Sequence, residues 1–359
     1  MNKIYTEIHP SFKLNKLSFN FDDLKEVGYC LIKEGLPHEI PIGNFLIDWV
    51  NDSEFIYVKT SGSTGTPKLI KLQKKHMVNS AIATGGYFNL KAGDSALLSL
   101  PADFIAGKMM LVRAMVLGLK LDYFAPNSNP LLGITKSYDF AAMIPLQVEN
   151  SMKNIEVIKT LIVGGAKMPV SLINRLRKKS TRIFETYGMT ETITHIAVKE
   201  INKLQNSVTE NFKALPEVTF KTDKRNCLVI HTPNISDDKV VTNDLVDLIS
   251  ETEFQWLGRY DSIINSGGIK LIPEKIENKL SEIIKHDYFV VGLPDKKLGE
   301  KLVLIIESGK KDETILQSIQ QLKTLDKFEI PKEVIFIKQF DRTSNGKIQR
   351  NKTVEHLNR

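Results

Sequence analysis

Between Asp94 and Tyr187 the chain reads SALLSL (95–100), GKMMLVRAMVLGL (107–119), KLDYF (120–124), DFAAMI (139–144), TLIVGG (160–165), PVSLINRLRKK (169–179) and RIFETYG (182–188). Short β-branched or leucine-rich runs alternate with longer stretches of helical period, the pattern of βαβ units that build a parallel sheet covered by helices. Ligands of such sheets bind beyond the carboxyl ends of the strands, and the loops VGGA (163–166) and ETYGMTE (185–191) fall there. Chemistry is expected at those loops.

After Arg259 the texture changes. Pro273 suits the first turn of a helix, and Ile276, Leu280, Ile283 and Ile284 recur on one face behind it. The apolar runs YFVVGL (288–293) and KLVLIIE (301–307) predict strands, followed by a helix near 313–325 and a last strand, EVIFIK (333–338). The expected fold is α/β in two parts. Residues 1–260 form a large N-terminal domain of mostly parallel sheets and covering helices, and residues 261–359 a small, mobile α+β C-terminal domain, joined at LGRYDSIINSGG (257–268).

Composition agrees with a folded enzyme-sized chain: 359 residues, 42% hydrophobic and 25% charged, too ordinary for a collagen-like or wholly disordered protein. The net charge of +7 is spread along the sequence, which suits small anions such as nucleotides better than nucleic acid, where a concentrated basic stripe is expected. Two distant cysteines, Cys30 and Cys227, suggest neither a disulfide framework nor a thiolate metal site. The opening MNKIYTEIHPSFKLNKL has no apolar core of signal-peptide length. The most apolar helical stretch, Met109–Leu119, is interrupted by Arg113 and too short for a bilayer. The expectation is a cytoplasmic protein with no membrane insertion; composition leaves the oligomeric state open.

Four segments carry chemistry. In YVKTSGSTGTPKLIKL (57–72), Gly62 and Gly65 let backbone amides approach phosphate oxygens, Thr60, Ser61, Ser63 and Thr64 add hydroxyl donors, and Lys68 adds charge. The spacing is not that of a Walker loop, and alone the segment also fits a plain surface turn. In ETYGMTET (185–192), Tyr187 can stack on a planar base beside Gly188, while Thr190 and Glu191 offer a hydroxyl and a carboxylate to a phosphate and its Mg²⁺. In VTNDLVD (241–247) and LGRYDSI (257–263), Asp244 can accept from two ribose hydroxyls and Arg259 can hold sugar or phosphate, although a lone Asp or Arg is usually a solvated residue. In DRTSNGKIQR (341–350) a glycine turn presents Lys347; a basic cluster there also fits a solvated tail.

Together and in this order the four segments resemble the adenylate-forming superfamily, of acyl-CoA synthetase type. The resemblance implies that Gly164, Gly165 and Ala166 wall the adenine, Tyr187 stacks on it, Asp244 accepts the ribose, Glu191 meets Mg²⁺, Asp261 is the hinge and Lys347 the catalytic lysine. It implies ATP, Mg²⁺ and coenzyme A as cofactors and co-substrates, and a small carboxylic acid as the partner that is activated. The general look is most similar to the o-succinylbenzoate-CoA ligases of menaquinone biosynthesis, with a shortened N-terminal region. Alternatives are another aryl- or acyl-CoA ligase, an adenylating enzyme with a carrier-protein acceptor, and a non-catalytic nucleotide-binding protein. The chain departs from the family at Asn243, where glycine is usual, at Phe104, where histidine is common, and at Asp341, where proline is common. Lys108 and Arg113 are candidate cations for a second substrate carboxylate, yet five residues apart they share a helix face poorly and read first as solvated charges.

Overall fold

The computed structural model describes residues 4–59, 68–202, 211–312, 314–343 and 348–357. The chain divides into two compact units, residues 1–219 with 230–240, and residues 220–229 with 241–359. The first unit begins with strands β1 (Lys13–Leu14) and β2 (Leu17–Ser18), helices α1 (Asp23–Lys33) and α2 (Ile40–Val50), and the hairpin β3 (Phe55–Lys59) and β4 (Leu69–Gln73). Next come α3 (Lys74–Phe88), β5 (Ser95–Leu98), α4 (Ile105–Leu117), β6 (Lys120–Tyr123), β7 (Tyr138–Met143), α5 (Pro145–Asn150), β8 (Ile158–Val163), α6 (Val170–Leu176), β9 (Arg182–Gly188), β10 (His195–Glu200) and β11 (Phe212–Ala214). The expected alternation is present.

Strands β6, β5, β7, β8 and β9 lie side by side and parallel, with β10 and β11 continuing antiparallel beyond β9. Leu97, Ala141, Leu161, Val163 and Ile183 are buried with Leu172 and Leu176 of α6, so helix and sheet share one dry core. Such runs are apolar on both faces because helices cover both sides. Helix α4 is an extreme case: every residue from Gly107 to Met115 is buried, and Gly118 ends it in a left-handed cap at φ +73°. Lys108 and Arg113 lie on this enclosed stretch and are 8% and 1% exposed, against the expectation of solvated charges. With no solvent face on this stretch, neither is a solvated charge.

In the second unit β12 (Thr219–Thr222), β13 (Cys227–His231), β14 (Val240–Ser250) and β15 (Glu253–Arg259) run in that order, the last two as an antiparallel pair. Strands β16 (Ile264–Ser266), β17 (Ile269–Leu271), β18 (Tyr288–Asp295), β19 (Gly299–Glu307) and β20 (Glu333–Ile337) form a second sheet, with helices α7 (Pro273–Leu280), α8 (Ile315–Gln321) and α9 (Arg350–Leu357). In β19, Leu302, Leu304 and Ile306 face α7 and α8, while Val303 and Ile305 meet Phe289 and Phe340 on the other side. The expected helix near 313–325 is shorter than its pattern, and Ile283 and Ile284 follow α7 rather than extend it. No helix among the described residues is long and apolar enough to cross a membrane.

Helices α1 and α2 pack backbone to backbone at Gly28 and Gly43: a Cβ on Gly43 would stand 2.6 Å from the Gly28 carbonyl oxygen. Gly86 of α3 has open space instead. Gly43→Ala is therefore expected to lose about 1–3 kcal/mol by forcing the helices apart, whereas Gly86→Ala gains about 0.5–1 kcal/mol of helix propensity. Urea unfolding of the two variants measures both, and equal shifts in one direction would contradict the packing.

Candidate functional site

Parallel register brings the first group together. Met143, Val163 and Glu185 are neighbours across β7, β8 and β9, so the chain leaves all three strands at one edge. Gly164 donates its N–H to the Met143 carbonyl at 3.1 Å, and Thr186 Oγ1 donates to the Val163 carbonyl at 3.1 Å. A Cβ on Gly164 would lie 2.5 Å from Thr186 Oγ1 and displace that hydroxyl from the Val163 carbonyl; Gly165 follows at φ +84°. Glu185, which is 5% exposed, accepts from the Met168 N–H at 3.1 Å and pairs with Lys199 Nζ at 2.6 Å. It ties the Gly164–Ala166 loop to β9. Glu185 and Thr186 stand inside the quoted motif, yet burial alone reveals their bracing role.

Tyr187 and Gly188 end β9, and Gly188 faces His195 of β10 across the hairpin. A Cβ on Gly188 would collide with the Thr194 carbonyl. Tyr187 packs 5.8 Å from the Phe212 ring, half-buried. Between them Thr190–Thr192 makes one 3-10 turn with Glu191 exposed. Thr192 Oγ1 accepts from the Met189 N–H at 3.0 Å, and the Thr194 N–H donates to the Thr192 carbonyl at 2.7 Å. That closes a γ-turn about Ile193 at φ +64° and ψ −60°, a conformation that costs a β-branched residue on the order of 1–3 kcal/mol. Burial of Ile193, 1% exposed, helps hold it there.

Strand β4 lies against the Thr190–Thr192 turn. Since Lys59 pairs with Leu69, the base of the 60–68 connection is anchored beside that turn, with Lys68 exposed at its end. Thr60, Ser61, Gly62, Ser63, Thr64 and Gly65 lie outside the described residues, as does Lys347. Residues on either side of Lys347 are anchored: Arg342 pairs with Ile348 in an isolated antiparallel bridge and reaches Glu307 and Asp287, each at 2.6 Å.

In the second unit, Asp244 of β14 sits opposite Arg259 of β15. Asp244 is 6% exposed and not the solvated carboxylate a lone Asp suggests; it accepts from Trp256 Nε1 at 3.2 Å and lies 3.6 Å from Arg259 Nη1. Arg259 also forks onto Asp261 with two bonds of 3.1 Å. That guanidinium, above all, holds the Asp261 carboxyl below its usual range. One arginine thus joins the ribose candidate to the hinge candidate.

Among the described residues no group of three or more His, Cys, Asp and Glu side chains could hold a metal. A carboxylate such as Glu191, exposed on a braced turn, suits a Mg²⁺ whose other ligands are phosphate oxygens and water. Cys30 and Cys227 are free thiols. A cleft of about 370 Å³, lined by Ile82, Ala83 and Gly86 of α3 with Pro216, Glu217 and Ile235, includes none of these residues.

A further group was hidden by its helix. Arg113 of α4 donates to Thr84 Oγ1 at 3.4 Å and to Thr194 Oγ1 at 3.3 Å, and lies 3.5 Å from His195 Nδ1. No carboxylate among the described residues pairs with it. Burial lowers its pKa to about 9, which leaves it charged at neutral pH. Burial first, and Arg113 second, keep the His195 imidazole well below its ordinary range. In the unfolded chain this histidine titrates near 6.5. As pH falls below about 6.5 the unfolded state gains a proton that the native state refuses, so stability should fall by up to about 1.4 kcal/mol per pH unit. Urea unfolding between pH 7.5 and 5 should show this slope in the native protein and a shallower one in His195→Gln; identical slopes would contradict it.

Residues 51–221 match the model of the AMP-binding enzyme family. The chain is 32% identical to a solved acyl-CoA synthetase (AMP-forming)/AMP-acid ligase II-like protein from Dyadobacter fermentans, over 93% of this chain and 98% of that one, with a TM-score of 0.60. It is 26% identical to the 2-succinylbenzoate–CoA ligase of Listeria monocytogenes over 322 residues, 82% of this chain and 68% of the relative. The o-succinylbenzoate coenzyme A synthetase of Bacillus subtilis, solved with ATP and magnesium ion, shares the fold at a TM-score of 0.71 and 21% identity, over 83% of this chain and 69% of that one.

Proposed function

The chain belongs to the AMP-forming acyl-CoA synthetase family, and from that premise we propose that it is a cytoplasmic ligase joining 2-succinylbenzoate to coenzyme A at the expense of ATP, in menaquinone biosynthesis. The observation that carries adenylation is the shared edge. Gly164–Ala166, Tyr187 and the Thr190–Glu191 turn leave adjacent parallel strands, and the hairpin bearing the glycine and hydroxyl loop is anchored against the same turn.

A thiol cannot usefully displace oxide from a carboxylate, whereas it readily displaces AMP from a mixed anhydride. The acid's carboxylate attacks the α-phosphorus in line, forming the acyl–O–P bond as the bond to pyrophosphate breaks. No enzyme nucleophile is required. Adenine lies between the Gly164–Ala166 backbone and Tyr187, the ribose hydroxyls meet Asp244, and Arg259 holds sugar or phosphate. The amides and hydroxyls of Thr60 to Gly65, with Lys68, Thr190 and Lys347, offset charge as it gathers on phosphate oxygens; such preorganised groups are commonly worth several kcal/mol. Glu191 would hold Mg²⁺, which supplies further charge neutralisation at the phosphates. In the second half-reaction the coenzyme A thiol forms the thioester and AMP leaves. Residues 261–359 act as a lid that turns about Asp261, withdrawing Lys347.

The acid is argued from Arg113. 2-Succinylbenzoate carries two carboxylates, and the one that does not react needs a cation. Arg113 is a buried charge with no carboxylate of the chain among the described residues, and it touches Thr194 and His195, directly behind Gly188. A desolvated guanidinium gains most from an anion brought by the ligand.

Lys347→Ala should abolish acid-dependent pyrophosphate exchange while largely sparing thioester formation from pre-made acyl-adenylate; equal loss of both would contradict the assigned roles. A panel of carboxylic acids, with and without coenzyme A, tests the substrate. 2-Succinylbenzoate should turn over best, and Arg113→Met should raise its KM at least tenfold, by about 1.4 kcal/mol or more, while leaving monocarboxylates of the same shape nearly unaffected. Preference for a monocarboxylate in the native protein would refute the dicarboxylate.

A further inference from the structure

Asp244 can serve two ribose hydroxyls only if its carboxylate is held to within about 0.5 Å and 10–20°, and the anchoring of its strand leads to a residue outside every motif. At the turn between β12 and β13, Asp223 Oδ1 accepts the N–H groups of Arg225 at 2.8 Å and Cys227 at 3.0 Å, and Asn226 adopts φ +63°. Arg225 leaves this turn with its guanidinium engaged on several sides. Nε donates to Asp223 Oδ2 at 2.8 Å, Nη1 to Asn243 Oδ1 at 2.9 Å and Nη2 to the Thr242 carbonyl at 3.1 Å, while the guanidinium stands 5.1 Å from the Tyr260 ring centroid. Thr242 and Asn243 immediately precede Asp244. Thr242 Oγ1 accepts the Asp244 N–H at 3.0 Å and donates to the Leu228 carbonyl at 2.9 Å.

We propose that Arg225 is the positioning residue that sets Asp244 for the ribose, acting through Asn243 and Thr242; this rests on the reading of Asp244 as the ribose acceptor. The Asx geometry of the turn needs only Asp223, so the turn does not explain the arginine. Nor does burial: its side chain is 37% exposed. The bond to Asn243 also gives physical content to a departure from the family, since the usual glycine has no side-chain oxygen for Nη1. Arg225 makes the same kind of link on the other side, stacking on Tyr260, the residue after Arg259. It grips the chain next to both candidate nucleotide contacts without bonding to Asp244 itself.

The test is ribose discrimination in pyrophosphate exchange, with kcat/KM measured for ATP and 3′-deoxy-ATP in the full-length protein. Asp244→Ala should collapse the preference for ATP. Arg225→Met should lower kcat/KM for ATP about five- to tenfold, the scale of a charge-assisted hydrogen bond, and change 3′-deoxy-ATP by roughly twofold or less, with the KM of the acid unmoved. Arg225→Lys should recover part of the preference. Asn243→Gly, which keeps the guanidinium, should lose part of it and add little in combination with Arg225→Met. Equal losses for both nucleotides, or no change in the ratio, would overturn the proposal. If Asp244→Ala itself leaves the preference intact, the ribose reading falls and the proposal with it; if Asp244→Ala collapses the preference and Arg225→Met does not, only the role of Arg225 falls.

Discussion

Met143, Val163 and Glu185 stand level on three parallel strands, and that register governs where the site can be. A parallel sheet cannot distribute its connections as a meander does; each strand must exit at the same edge, and helices must cover both faces. The loops that follow these strands therefore gather at one rim. The rim is then stiffened locally: Glu185 ties the glycine loop to β9, Thr186 takes the Val163 carbonyl, and the γ-turn at Ile193 folds the segment after Glu191 back against Gly188. Strain at Ile193 is tolerable because the side chain is in the core, where the apolar contacts that hold it also fix the turn carrying Thr190 and Glu191.

Much of this was legible because period and punctuation agreed. The runs at 95–100, 139–144 and 160–165 became β5, β7 and β8, and the apolar pattern of 301–307 became the two-sided strand β19. Strand β3 leads directly into the glycine and hydroxyl segment. What escaped was whatever depended on burial. Lys108 and Arg113 look like helix charges because a sequence does not say that a helix is enclosed on all sides. Asp244, a lone acid in a β-rich stretch, gives no hint that Trp256 and Arg259 lie across the ladder, since their separation in sequence is set by a hairpin with a register shift. Arg225 escaped for a third reason. Its partners are a turn aspartate, an asparagine and a carbonyl, none of which belongs to a pattern that spacing alone can pick out.

Arg113 also shows why stability is a poor explanation for some buried charges. A guanidinium taken out of water loses several kcal/mol of solvation, and hydroxyls and an imidazole nitrogen at 3.3–3.5 Å return only part of it. Methionine or leucine at this place on α4, among Met109, Met110 and Met115, would pack the same core without that cost. The neighbouring histidine compounds it, since each cation disfavours the other and His195 is driven neutral. A fold under selection for stability alone has no use for this arrangement. The proposed role does have a use for it: a second carboxylate drawn from water would recover the arginine's desolvation, and a ligand lacking that carboxylate would not.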